Sequence, residues 1–157
     1  MNFLPFDKDF LETTADIVNP LLVVWFLVAF LWRVRTDRSF RGFGFFMRAF
    51  LALLVSFGLG RVNGELEIWR GLPLDPGDYE FPSGHMCFAV SLGVSLVLLY
   101  RRFVFLVVPL LALYGALIVF LGYHGWLDVI GAWVLMAPLA WIIHKEARRK
   151  LQQPIES

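Results

Sequence analysis

The chain has 157 residues, 59% hydrophobic and 17% charged, with 14 Lys and Arg against 13 Asp and Glu and a formal net charge of +1; its mean hydropathy is +0.68. These values exclude an ordinary soluble domain, give no sign of a nucleic-acid partner, and indicate an integral membrane protein. At about 20 apolar residues per crossing, the apolar stretches fit roughly five helices in one all-α bundle, a single domain over residues 1–157.

The N-terminus carries Asp7, Asp9, Glu12 and Asp16 against Lys8. A cleaved leader needs a basic start followed by an apolar run, so Met1 to Asp16 reads instead as an interfacial segment, with Phe3, Leu4, Phe6, Phe10 and Leu11 on its apolar side. Spans are expected over about 17–32, 43–60, 85–100, 103–123 and 127–143. Between the second and third lies one long polar stretch, 61–84, where Pro73, Pro76 and Pro82 with Gly64, Gly71 and Gly77 argue for a loop with turns. Pro109 and Pro138 fall inside the last two spans, which a bundle tolerates when neighbours satisfy the freed carbonyls. The lone cysteine, Cys87, reads as a small core side chain.

Basic residues set the expected orientation. Arg33, Arg35, Arg38, Arg41, Arg48, Arg101, Arg102, Lys145, Arg148, Arg149 and Lys150 share one side of a five-span chain, which places that side in the cytoplasm. The N-terminus, the 61–84 loop and the link before the last span then face outward, toward the periplasm of a cytoplasmic (inner) membrane. That outer side is acidic: Glu65, Glu67, Asp75, Asp78, Glu80 and Asp128 join the acidic N-terminus against Lys8, Arg61 and Arg70. Most of these acids read as solvated loop residues. Trp69 and Trp126 read as interfacial belt residues.

Two of the three histidines stand on the outer side, each where a polar segment gives way to an apolar stretch: Phe81-Pro82-Ser83-Gly84-His85 and His124-Gly125-Trp126-Leu127-Asp128. Ser83 is a preferred N-cap, Gly84 lets a ligand approach the backbone, and the first amides of a helix attract an anion, phosphate above all. His85 in the first turn stands where it can pass a proton to a leaving oxygen. His124 and Asp128 are spaced i to i+4, so in a helical setting they share a face and the carboxylate can hold one ring nitrogen while the other attacks phosphorus. Attack would give a phosphohistidine that water cleaves. This scheme requires neither a metal nor a cofactor. Taken singly, each string also has a plain reading as a helix cap with an interfacial histidine.

Together the strings resemble the second and third signature motifs of the type 2 phosphatidic acid phosphatase superfamily, membrane lipid phosphatases related in fold to vanadium haloperoxidases. Pro82 to His85 matches the second motif in full, and His124, Asp128, Val129 and Gly131 fit the end of the third. The resemblance implies His124 as nucleophile, Asp128 as its orienting partner and His85 as general acid, with Ser83 and Gly84 binding phosphate. It also shows departures. Asn63 stands at the first-motif lysine, Gly71 at its proline, and Ile118 at the third-motif arginine, leaving Arg70 and Arg61 as substitute phosphate ligands.

The expected function is hydrolysis of a lipid phosphate or polyprenyl diphosphate at the outer membrane face. The alternatives are a phosphotransferase and a non-catalytic member that binds a lipid headgroup. The partners implied are the substrate and membrane lipids, and a homo-oligomer is compatible with the bundle.

Overall fold

The computed structural model describes the backbone of residues 8–66 and 81–150, and the side chains of 16–59 and 81–145. Among the described residues five α-helices run in chain order: α1 (Lys8–Thr36), α2 (Gly42–Leu66), α3 (Gly84–Leu99), α4 (Val104–Phe120) and α5 (Trp126–Lys150), with a 3₁₀ turn at Arg101–Phe103 joining α3 to α4. Among the described residues there is no strand. The all-α bundle expected from composition is what forms.

Four helices are long and apolar enough to cross a membrane: the stretches Asp16–Thr36, Gly42–Leu59, Arg101–Phe120 and Trp126–Lys145. The fifth, α3, has 16 residues, so its length of about 24 Å falls short of a bilayer core. It sits at the centre, packed against all four of the others. Its Met86, Cys87, Ala89, Val90, Leu92 and Leu96 are fully buried, so an apolar surface on every side is covered by protein rather than lipid. Cys87 is the core side chain that composition suggested. The outer helices instead expose large apolar groups, among them Leu21, Phe43, Phe57, Phe105, Leu113 and Val134. An apolar exterior of this kind suits hydrocarbon, where close packing of small residues drives helix association. Gly93 is one such point: a Cβ there would meet Val107 at 2.8 Å and Leu111 at 2.7 Å, so only glycine lets α4 lie this close to α3.

Several element boundaries differ from the sequence expectation: α1 runs to Thr36 rather than 32, and α4 ends at Phe120 rather than 123, where the turn at Gly122 closes it. Lys8 to Asp16 belongs to the same helix as the first span, because nothing between Lys8 and Pro20 breaks a helix; residues 1–7 of the expected interfacial segment lie outside the described residues. The second helix continues through Gly60 to Leu66, since no proline interrupts that stretch. Arg61 and Asn63 therefore lie on the last turns of α2 rather than on a loop. The fifth helix extends beyond 143 to Lys150, through residues that are good helix formers.

The chain alternates between two ends of the bundle. At one end stand Ser83, His85, His124 and Asp128; at the other, Arg33, Arg101 and Arg102 converge where α1 ends and α3 meets α4.

Candidate active site at the starts of the third and fifth helices

Ser83 caps α3: its hydroxyl accepts a hydrogen bond from the Met86 amide at 3.3 Å, and the residue is fully buried. The first intrahelical bond runs from the Cys87 amide to the Ser83 carbonyl, 2.8 Å. The amides of Gly84 and His85 stand ahead of that bond, in the turn where a helix leaves its donors unused. A Cβ at Gly84 would meet nothing within 4 Å, so the backbone there is open to a ligand. His85 is exposed.

The other half of the site is made by the end of α4 and the start of α5. Gly122, with φ +77°, ends α4 in a left-handed turn: its amide bonds the Val119 carbonyl at 3.0 Å and the Tyr123 amide bonds the Ile118 carbonyl at 3.1 Å. This double closure satisfies the last carbonyls of the helix and requires a residue that tolerates positive φ. It sends the chain directly into His124. Asp128, at the third position of α5, reaches back to accept the Gly125 amide through Oδ2 at 2.8 Å, half of a capping box. The same Oδ2 lies 3.7 Å from His124 Nδ1, an ion-pair approach longer than a hydrogen bond. The His124 side chain is 7% exposed and that of Asp128 1%.

Backbone joins the two halves. The Ser83 amide donates to the Asp128 carbonyl at 3.2 Å, so the start of α3 is pinned to the first turn of α5. Phe81 packs onto Gly131 so closely that any Cβ there would collide with its ring. The result is that the His85 and His124 rings approach to 6.3 Å between centroids, inclined at 57°.

One nearby polar group was not anticipated from sequence. The Asn19 side-chain amide, on α1, lies 3.5 Å from the His85 carbonyl and 3.4 Å from the Tyr114 hydroxyl, tying α1 to the helix that bears His85. The available signal was an amide within an otherwise apolar span, where polar side chains usually have partners.

Of the expected phosphate ligands, Ser83 and Gly84 are at the site, with the Ser83 hydroxyl engaged as the helix cap. Arg70 and Trp69 lie outside the described residues, and Arg61 and Asn63 are described only in backbone. Ile118 is buried, 3% exposed, so the third-motif position contributes no cation. Trp126 is exposed beside Phe120 and Leu113, as a belt residue would be.

The family model of the PAP2 superfamily matches residues 62–151, more than half of the chain. The protein belongs to the PAP2 superfamily. The match begins in the last turns of α2 and takes in α3, α4 and α5, and thus both histidine segments. Comparison with curated proteins and with solved structures gives no match. Membership supports a phosphatase-like activity on phosphate esters, carried by a multi-pass helical chain.

Proposed function

We propose that this PAP2-superfamily chain is a lipid phosphatase of the cytoplasmic membrane that hydrolyses a lipid phosphate or polyprenyl diphosphate at the extracytoplasmic face. The observation that carries the reading is the 6.3 Å approach of the His85 and His124 rings, close enough for both to reach one phosphoryl group. In the proposed reaction His124 Nε2 attacks phosphorus, with Nδ1 turned toward Asp128. The bond from phosphorus to the leaving oxygen breaks, the lipid's own oxygen in a monophosphate and the bridging oxygen in a diphosphate, and that oxygen takes a proton from His85. Water then attacks the phosphohistidine, its proton passes to His85, and the phosphorus–nitrogen bond breaks to release inorganic phosphate. The shielded setting of His124 and Asp128 favours this, because a charge pair acts more strongly where water is scarce. The Gly84 and His85 amides and the positive end of α3 offset the phosphate charge.

The outward assignment rests on charge. The arginine-rich end of the bundle is opposite the histidine pair, and such residues concentrate on the cytoplasmic side. Lipid as substrate is supported by the position of the site at the starts of apolar helices.

Purified protein assayed for phosphate release against a panel of lipid phosphates and polyprenyl diphosphates tests the proposal. Turnover of at least one substrate, lost in His124→Ala, supports it; turnover unchanged in His124→Ala rejects His124 as the nucleophile. Product analysis with an added alcohol separates hydrolysis from phosphotransfer. The burial of Ile118 where the family places an arginine favours a second reading, a headgroup-binding member without turnover. Lipid binding that survives His124→Ala, with no phosphate released from any substrate, would select that reading.

A further inference from the structure

At the end of the bundle opposite the histidines, a groove of about 810 Å³ opens between α1 and the junction of α3 with α4. This is a volume typical of small-ligand sites. Part of its lining is apolar, from Trp25, Val28 and Leu98, and part is basic, from Arg33, Arg101 and Arg102. Arg33 is fixed in place: it pairs with Asp37 at 2.9 Å, and its guanidinium lies over the Tyr100 ring at 5.4 Å and the Phe40 ring at 5.8 Å. Asp37, half-buried just past the end of α1, is held below the usual carboxylate range, chiefly by its hydrogen bond from Ser39 and also by Arg33. Arg101 and Arg102 are both exposed, and neither makes an ion pair with a described residue. Tyr100 also lines the groove, and its hydroxyl is buried without a hydrogen-bond partner among the described residues.

We propose that this groove binds an anionic phospholipid of the surrounding membrane, with the phosphodiester held by Arg101 and Arg102 and an acyl chain laid along Trp25, Val28 and Leu98. Charge and polarity select that occupant. Three arginines against one carboxylate leave the basic part of the lining net positive, and guanidinium groups hold phosphate oxygens through charge-assisted hydrogen bonds. The apolar part of the lining has no use for a free phosphate ion but accommodates a hydrocarbon chain. Basic residues at a membrane surface attract anionic lipids at about 1 kcal/mol each, so removing two weakens binding about thirtyfold. The site is separate from the histidine pair and does not depend on the phosphatase reading.

Native mass spectrometry of full-length protein from mixed micelles tests this, with phosphatidylglycerol, phosphatidylcholine or inorganic phosphate titrated in. The expected result is one tightly retained phosphatidylglycerol, bound about thirtyfold more weakly by Arg101→Gln/Arg102→Gln, and displaced by neither phosphatidylcholine nor inorganic phosphate. Equal retention by wild type and the double variant, equal retention of phosphatidylcholine, or displacement by inorganic phosphate overturns the proposal. Because Arg101 and Arg102 are exposed, loss of fold is not expected in the double variant. An unchanged elution volume and tryptophan emission spectrum confirm it.

Discussion

The backbone amide of Ser83 donates to the backbone carbonyl of Asp128 at 3.2 Å. This one bond ties together segments that are 45 residues apart in sequence and brings the two helix starts into a single site. Neither side chain takes part in it, so mutating either residue alone leaves the tie in place while removing that residue's own side-chain contacts.

Asp128 makes two contacts that substitution can separate. Its Oδ2 accepts the Gly125 amide and faces His124 Nδ1. Asparagine keeps an oxygen acceptor for the cap and removes the negative charge that steadies the imidazole. Asp128→Asn is therefore expected to lower kcat by about a hundredfold or more with little change in Tm. Asp128→Ala should show the same kinetic loss together with about 1 kcal/mol of destabilisation from the broken cap. Steady-state kinetics and thermal unfolding in detergent check both.

Gly131→Ala should disturb the site from a distance. The new methyl group would occupy the space of the Phe81 ring, and the ring cannot move without shifting the Pro82-Ser83 segment that starts α3. Overpacking of this kind costs about 1–3 kcal/mol. Activity should fall with stability, and a smaller residue at position 81, as in Phe81→Leu/Gly131→Ala, should restore part of both. An additive double mutant would show that the two positions are not coupled.

Gly122→Ala tests the turn that delivers His124. At φ +77° a Cβ is strained by about 1–2 kcal/mol, although open space surrounds the position. Asparagine, which tolerates this conformation better, should be milder than alanine. The order Gly above Asn above Ala in Tm is the expected outcome.

The third histidine behaves differently. His144 is buried, 4% exposed, with Nε2 3.1 Å from the Ser95 hydroxyl and its ring 4.7 Å from that of Phe45. It links α5 to α3 and α2 at the end away from the site. Ser95→Ala, which removes a partner of a buried group, should destabilise by about 1–3 kcal/mol while leaving the kcat of the folded protein unchanged. A loss of kcat without a loss of Tm would contradict this structural assignment.

Much of the candidate site's geometry was legible because it lies in residue types at short spacing. His124 and Asp128 at i to i+4, and Ser83 immediately before an apolar stretch, announce a paired imidazole and a helix cap. That the two segments share one end followed from the even number of helices between them. The tie from Ser83 to Asp128 left no trace, since backbone atoms carry no sequence signature. The collision that demands glycine at 131 depends on Phe81, far away in the chain, and only packing reveals it. The end of α2 lies beyond the expected one because the polar stretch from Arg61 read as a loop: the helix runs on through Gly60 to Leu66, and a polar stretch with a single glycine costs a helix only about 1 kcal/mol. The central position of α3 was hidden for a related reason, as an apolar stretch looks the same whether lipid or protein surrounds it.

The most direct test is to trap the covalent intermediate. Protein mixed with a labelled lipid phosphate and quenched within milliseconds in alkaline detergent, where phosphohistidine survives, is digested and mapped by mass spectrometry. Phosphate on His124, absent from His124→Ala and still present in Asp128→Asn at a lower rate, is the predicted result. Phosphate release that proceeds with no phosphorylated histidine, or with label undiminished in His124→Ala, would contradict the account.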